Sequence, residues 1–224
     1  MDGNGRWASA RHLPRIAGHR EGGKAVRRAI EAAIRQGVAW LTLYAFSSEN
    51  WRRPVAEVTD LTGLLRHTVR TELAEFAANG IRLRVIGDRG RFPPDIQSSL
   101  TEAEATTSPN TRLNLTVALS YGGRAEIASA ARALAEAVRD GRLDPTAIDE
   151  AAVASHLSTA GIPDPDLVIR TSGEQRLSNF LIWQAAYAEF VFLNVLWPDF
   201  GPEHFAAALA EFARRDRRFG ARPV

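Results

Sequence analysis

Val38-Ala39-Trp40-Leu41-Thr42-Leu43-Tyr44-Ala45-Phe46-Ser47-Ser48-Glu49-Asn50-Trp51-Arg52-Arg53-Pro54 runs from an apolar, β-prone stretch through a polar loop to a proline. The apolar half, 38–46, reads as a strand. The proline fits the first turn of a long helix that reaches Asn79 and stops at Gly80. That helix carries Val58, Leu61, Leu65, Val69, Leu73 and Phe76 at spacings of three and four, a wide apolar stripe. Such a stripe suits a core helix packed on a sheet, and equally the wall of an apolar cavity. A second strand, 81–86, follows at once. Strand, helix, strand in that order implies parallel pairing with a right-handed crossover.

The alternation continues on both sides. A helix over 20–36 ends at Gly37, and Pro93-Pro94 opens another. Strands are expected at 112–119, 167–170 and 190–195, and helices at 124–139, 149–157 and 202–215. The loop 161–165, rich in Pro and Asp, is too short to divide domains. The expected fold is α/β: one domain over 1–224, with a mainly parallel central sheet flanked by helices. In such sheets ligands gather beyond the carboxyl ends of the strands.

Composition narrows the function classes. The chain has 224 residues, 45% hydrophobic and 24% charged, the balance of a globular protein. Lys+Arg of 28 against Asp+Glu of 26 gives a net charge of +2, too little for a general nucleic-acid binder. Cysteine is absent, which removes disulfides, thiolate catalysis and cysteine metal sites and fits a reducing compartment. The best apolar run, 190–197, is short and contains Asn194, so no membrane span is expected. No apolar leader precedes the polar N-terminus, and a cytoplasmic protein is expected.

Four segments carry chemistry. Asp2-Gly3-Asn4-Gly5-Arg6-Trp7 can form a glycine turn whose N–H groups face an anion, and Asp2 there makes sense if a divalent cation bridges it to phosphate. A plain glycine turn at a frayed terminus is the other reading. His19, in Arg15-Ile16-Ala17-Gly18-His19-Arg20 just before a helix, is either a cap or a phosphate donor. Ser47 to Arg53 crowds hydroxyls, an amide, an indole and guanidiniums onto one strand-to-helix loop. Arg170 and Arg176 flank a further polar loop, with Ser178 beside them. Arg6, Arg15, Arg53, Arg170 and Arg176 at strand ends and helix starts point to a polyanionic ligand.

Other motifs fail. Gly3, Gly5 and Ala8 match G-x-G-x-x-A, but only two residues precede Gly3 and Glu21 begins a helix, so the dinucleotide fingerprint lacks its strand and its acid. No phosphate-loop G-x-x-x-x-G-K-[ST], nucleophile elbow or D-D-x-x-D is present.

Asp2 to Ala8, Tyr44 to Pro54, Tyr121-Gly122-Gly123-Arg124, Arg170 to Gln184 and Trp197-Pro198-Asp199-Phe200, in this order over nearly the whole chain, resemble the cis-prenyltransferases. The resemblance implies a homodimer with an apolar tunnel beside the sheet. It implies sequential Mg²⁺-dependent condensation of isopentenyl diphosphate onto an allylic diphosphate such as farnesyl diphosphate. The product implied is a long cis-polyprenyl diphosphate such as undecaprenyl diphosphate, released by transient membrane contact.

By motif, Asp2 resembles the catalytic residue handling Mg²⁺–diphosphate, and Glu189 a second Mg²⁺ contact. Gly3, Asn4, Gly5, Arg6, Trp7, Arg15 and His19 resemble the allylic diphosphate site. Ser47, Ser48, Glu49, Trp51 and Arg53 resemble the mobile loop over the site, with Asn50 its catalytic proton acceptor. Arg170, Arg176, Leu177 and Ser178 resemble the isopentenyl diphosphate site, and Arg218-Phe219-Gly220 the segment that reaches the partner subunit. Ala45, Leu65 and Leu113 are expected to line the tunnel. Three departures stand out: no strand precedes Asp2, Gln175 replaces a histidine of some relatives, and Ser120 replaces a common asparagine. A catalytically silent partner subunit of the same fold is the alternative; a dinucleotide-binding oxidoreductase is a distant third.

Overall fold

The computed structural model describes residues 1–216. Seven α-helices and five strands alternate among them: α1 (Asn4–Ser9), α2 (Arg15–Arg35), β1 (Trp40–Ser47), α3 (Val55–Ala78), β2 (Ile81–Ile86), α4 (Pro94–Thr107), β3 (Leu113–Tyr121), α5 (Gly123–Arg139), α6 (Glu150–Ser155), β4 (Leu167–Arg170), β5 (Glu189–Phe192) and α7 (Pro202–Ala213). Every strand pairing is parallel, as the alternation requires. β3 is central in a sheet of order β1-β3-β2, so it is buried along nearly its whole length, with Leu113, Leu115 and Leu119 at most 1% exposed. Against it pack the small face of α2 (Ala25, Ala29, Ala33) and Ile96, Leu100 and Ala103 of α4.

Two expectations about helices need correction. α2 begins at Arg15, not Arg20: Pro14 caps it in extended conformation, and Arg15 and His19 ride on its first turns. Three glycines weaken helix propensity there, but Gly18 is needed for packing, because a Cβ on it would lie 2.0 Å from the Asn4 carbonyl oxygen. The segment after Gly3 is no open glycine turn either; it winds into α1, seated in that notch on α2.

The sheet is not continuous. β4 and β5 form a separate two-stranded sheet. Ala39 accepts from Asn114 on β3, and Asp166 and Arg170 carbonyls accept from Glu189 and Leu193. Backbone groups alternate sides along a strand, so those of Trp40 and Thr42 on β1, and of Leu167 and Ile169 on β4, point into the gap between the sheets. The gap has the form of a slot for one more strand, ending at Met1.

Candidate active site

The site grows from the carboxyl ends of β1, β3 and β4. A cavity of about 1180 Å³, continuous with the gap between the two sheets, runs along β1 and β4 and opens at their carboxyl ends; it is larger than an ordinary small-molecule pocket. Its polar mouth includes Asp2, Asn50, Arg53, Arg170, Arg176 and Ser178, and its body is apolar, with Leu43, Ala45, Leu61, Phe200, Phe205 and Leu209. Leu113 does not line it; it lies fully buried in β3. Of the α3 stripe, Leu61 reaches the cavity, while Leu65, Val69, Leu73 and Phe76 stay half-buried against the core.

Asp2 is held firmly rather than frayed. Its carbonyl oxygen accepts from Thr171 Oγ1 (2.9 Å), Ser172 Oγ (2.7 Å) and the Trp197 N–H (2.9 Å), and its own N–H donates to Thr171 Oγ1 (3.0 Å). Its carboxylate accepts from the Gly3 N–H (2.7 Å) and Arg170 (3.0 Å), with Arg6 3.6 Å away. Burial alone would raise its pKa, but the Arg170 bond and charge, the Gly3 N–H and Arg6 outweigh it and hold the group below the usual carboxylate range. Gly3 sits at φ 105°, and a Cβ there would lie 2.3 Å from Ser172 Oγ, so the close seat requires glycine.

Arg170 ties the mouth together. One terminal nitrogen reaches Asp2; the other donates to Ser178 Oγ (2.9 Å) and to the Arg176 carbonyl. Its Nε is buried without a partner, a donor suited to an anionic oxygen. Glu174 bridges Arg6 (3.1 Å) and Arg176, so Arg6 joins the Arg170 cluster rather than Arg15 and His19. Ser172, Ser178, Asn179 and Leu181 all have positive φ, a concentration of backbone strain typical of ligand sites.

A second cationic cluster stands on α2 and α3. Glu57 bridges Arg53 (2.9 Å) and Arg15 (3.5 Å), and His19 is adjacent in the cavity wall. Burial, then Arg53 and Arg15, push the His19 pKa down against Glu57 and Asp60, so the ring is neutral at pH 7 and donates through one nitrogen. Asn50 lines the cavity, but its amide oxygen already accepts from the Ser47 N–H (3.0 Å) and caps the turn 48–52. Glu49 is clamped by Asn179 (2.8 Å) with Ser48 nearby, and Leu177 lines the cavity.

Three expected ligand residues have other partners. Trp7 donates to Asp199 (2.7 Å) under the Arg11 guanidinium, which pins α1 to the segment 197–199. Trp51 packs against Phe46 and Phe92 instead of facing the cavity. Glu189 does not join Asp2 within the chain. It opposes Leu167, at the far end of β5 from Arg170, and pairs with Arg215 (2.8 Å). Gly5 has open space around it. The segment 218–220 lies outside the described residues.

Among the described residues no three acidic or histidine side chains gather for a metal. Asp2 supplies a hard, one-third-exposed carboxylate at the mouth. That fits Mg²⁺, which is commonly held by one or two carboxylates plus substrate phosphate oxygens. Thr171, Ser172, Glu174 and Asn179 were not expected as site residues. They carry no spacing signature, and only the folding of 170–181 onto Asp2 shows their place.

Residues 1–220 match the prenyltransferase family model described as "Putative undecaprenyl diphosphate synthase". "Isoprenyl transferase 2" of Bradyrhizobium diazoefficiens is 55% identical over 98% of this chain and 87% of its own length. The isoprenyl transferase of Zymomonas mobilis is 56% identical over 98% and 89%. A crystal structure of lavandulyl diphosphate synthase from Lavandula x intermedia with dimethylallyl diphosphate superposes with TM-score 0.95 at 38% identity, covering 98% of this chain and 95% of that one. A "probable undecaprenyl diphosphate synthase" from Campylobacter jejuni gives TM-score 0.78 at 34% identity, over 89% and 92%.

Proposed function

We propose that this chain, which belongs to the undecaprenyl diphosphate synthase family of prenyltransferases, elongates an allylic diphosphate by cis condensation with isopentenyl diphosphate in a Mg²⁺-dependent reaction. The observation that carries this reading is the Asp2–Arg170 pair, with a buried, unpartnered Nε beside it, at the mouth of an apolar cavity.

The chemistry asks three things of the chain. The C–O bond of the allylic diphosphate breaks as the isopentenyl double bond attacks the same carbon. Charge on the departing diphosphate must be neutralised, and fixed guanidiniums do this without reorganisation. Arg6, Arg170, Arg176 and Ser178 are suited to one diphosphate, and Arg15, His19 and Arg53 to the other. Asp2 would hold the Mg²⁺, which when bound supplies further neutralisation of the leaving diphosphate. A proton must finally leave the new allylic unit. The Asn50 amide oxygen keeps one lone pair after serving Ser47, and the released diphosphate is the stronger base.

The growing chain needs an apolar sleeve, and each buried CH₂ contributes about 0.8 kcal/mol. Leu43, Ala45, Leu61 and Leu209 supply such a wall. The homodimer implied by the family resemblance is part of this proposal, and gel filtration tests it. No helix among the described residues is long and apolar enough to cross a membrane. The silent-subunit alternative gives no reason for the Asp2–Arg170 pair.

Labelled isopentenyl diphosphate, farnesyl diphosphate and Mg²⁺ test the reading together. Elongated polyprenyl diphosphate, lost on chelation, is expected. A folded protein that yields no elongated product refutes it.

A further inference from the structure

Trp51, in the loop at the mouth, has a set of partners outside the cavity. Its indole N–H donates to Ser120 Oγ (2.9 Å). Its ring packs against Phe46 (4.8 Å) and Phe92 (5.1 Å) and lies under the Arg91 guanidinium (4.8 Å). Ser120 is buried at the end of β3 and held at φ 50°, where its carbonyl accepts from the Asp88 N–H (3.3 Å). A serine in that backbone region is strained, and a strained, buried hydroxyl that serves one indole is a specific arrangement. Trp51 lies between Asn50 and Arg53, which both face the cavity.

We propose that Ser120, with Arg91 as support, is a positioning residue: it docks Trp51 and thereby sets the turn 48–52, and with it Asn50 and Arg53, over the diphosphate site. This rests on the diphosphate reading of the cavity. Ser120 touches no substrate and acts only through Trp51. Losing the hydroxyl lets the turn open, so Arg53 must be re-ordered each time a diphosphate binds.

Two readouts separate this inference from the reading it rests on. Trypsin cleavage after exposed Arg52 reports opening of the turn in the free protein and needs no catalysis. Steady-state kinetics report binding. For Ser120→Ala, cleavage after Arg52 and the KM for diphosphate substrate should each rise roughly fivefold, equivalent to about 1 kcal/mol, with kcat changed less than twofold. Trp51→Phe should match it, and the double variant should be no worse than either single one. Ser120→Asn, which keeps an acceptor and tolerates positive φ, should restore both readouts. Unchanged cleavage in Ser120→Ala, or additive losses in the double variant, would overturn the docking role even in a fully active enzyme. Faster cleavage in a protein with no elongation activity would uphold the docking role while removing its catalytic purpose.

Discussion

Replacing Arg170 by alanine takes away the most connected side chain of the mouth. It removes the ion pair to Asp2, the bond to Ser178 and the bond to the Arg176 carbonyl. Breaking a buried pair costs about 3–5 kcal/mol because the partner charge is left uncompensated. Arg170 is 15% exposed but Asp2 is 36% exposed, so solvent takes over part of the loss and the cost falls to about 2–3 kcal/mol. For a chain of this size that lowers Tm by roughly 5–10 °C. Arg170→Lys keeps a charge for Asp2 but loses the fork to Ser178 and Arg176, so about half the Tm loss should remain. Calorimetry gives the Tm values, and isopentenyl diphosphate titration gives the KM, expected to rise at least tenfold in both variants. Arg170→Ala with wild-type Tm and KM would refute the reasoning, because it would mean that Asp2 and the loop 170–178 are held by something else.

Asp2→Asn should reduce turnover at least a hundredfold while Tm falls by only a few degrees; steady-state kinetics with a melt checks both. The Asp2 carboxyl is depressed in the folded state, so its stabilisation is fully present above its unfolded pKa of about 3.9 and is lost as pH falls through the lower folded value. The stability gap between wild type and Asp2→Asn should therefore close in acid, and a gap that widens there would contradict the pairing. Glu174→Gln frees Arg6 and Arg176 from a carboxylate that a phosphate must displace, so inorganic pyrophosphate should bind about two- to fivefold tighter by calorimetry, the range of an exposed pair. Joining a six-residue Val/Ile strand ahead of Met1 should pair the open edges of β1 and β4 across the gap, raising Tm by several degrees; an unchanged or lower Tm would show that the gap does not accept a strand.

Much of the fold was legible because its signals are local. The stripe of α3, the prolines opening α3 and α4, and the short apolar runs of β2 and β4 each identify their element without tertiary help. What failed was long-range. The start of α2 at Arg15 rests on Gly18 packing against Asn4, a contact that no local window contains. The split into two sheets depends on what lies between β1 and β4, which no window of sequence contains. The site divides the same way. Asp2, Arg170 and Ser178 were readable from motif, and folding brings them together. Trp7, Trp51 and Glu189 sit in equally marked motifs, yet within this chain their side chains meet Asp199, Ser120 and Arg215. Residue type cannot distinguish an indole that binds substrate from one that fixes a loop; only its hydrogen-bond partner does.

The most direct test is a crystal structure of the protein with Mg²⁺ and a non-hydrolysable thio analogue of farnesyl diphosphate. Expected are the diphosphate at the mouth, with an oxygen on the Arg170 Nε or on the Arg15–His19–Arg53 cluster, Asp2 on the metal, and the prenyl tail among Leu43, Ala45, Leu61 and Leu209. A diphosphate bound away from both clusters, or a tail lying outside the cavity, would contradict it.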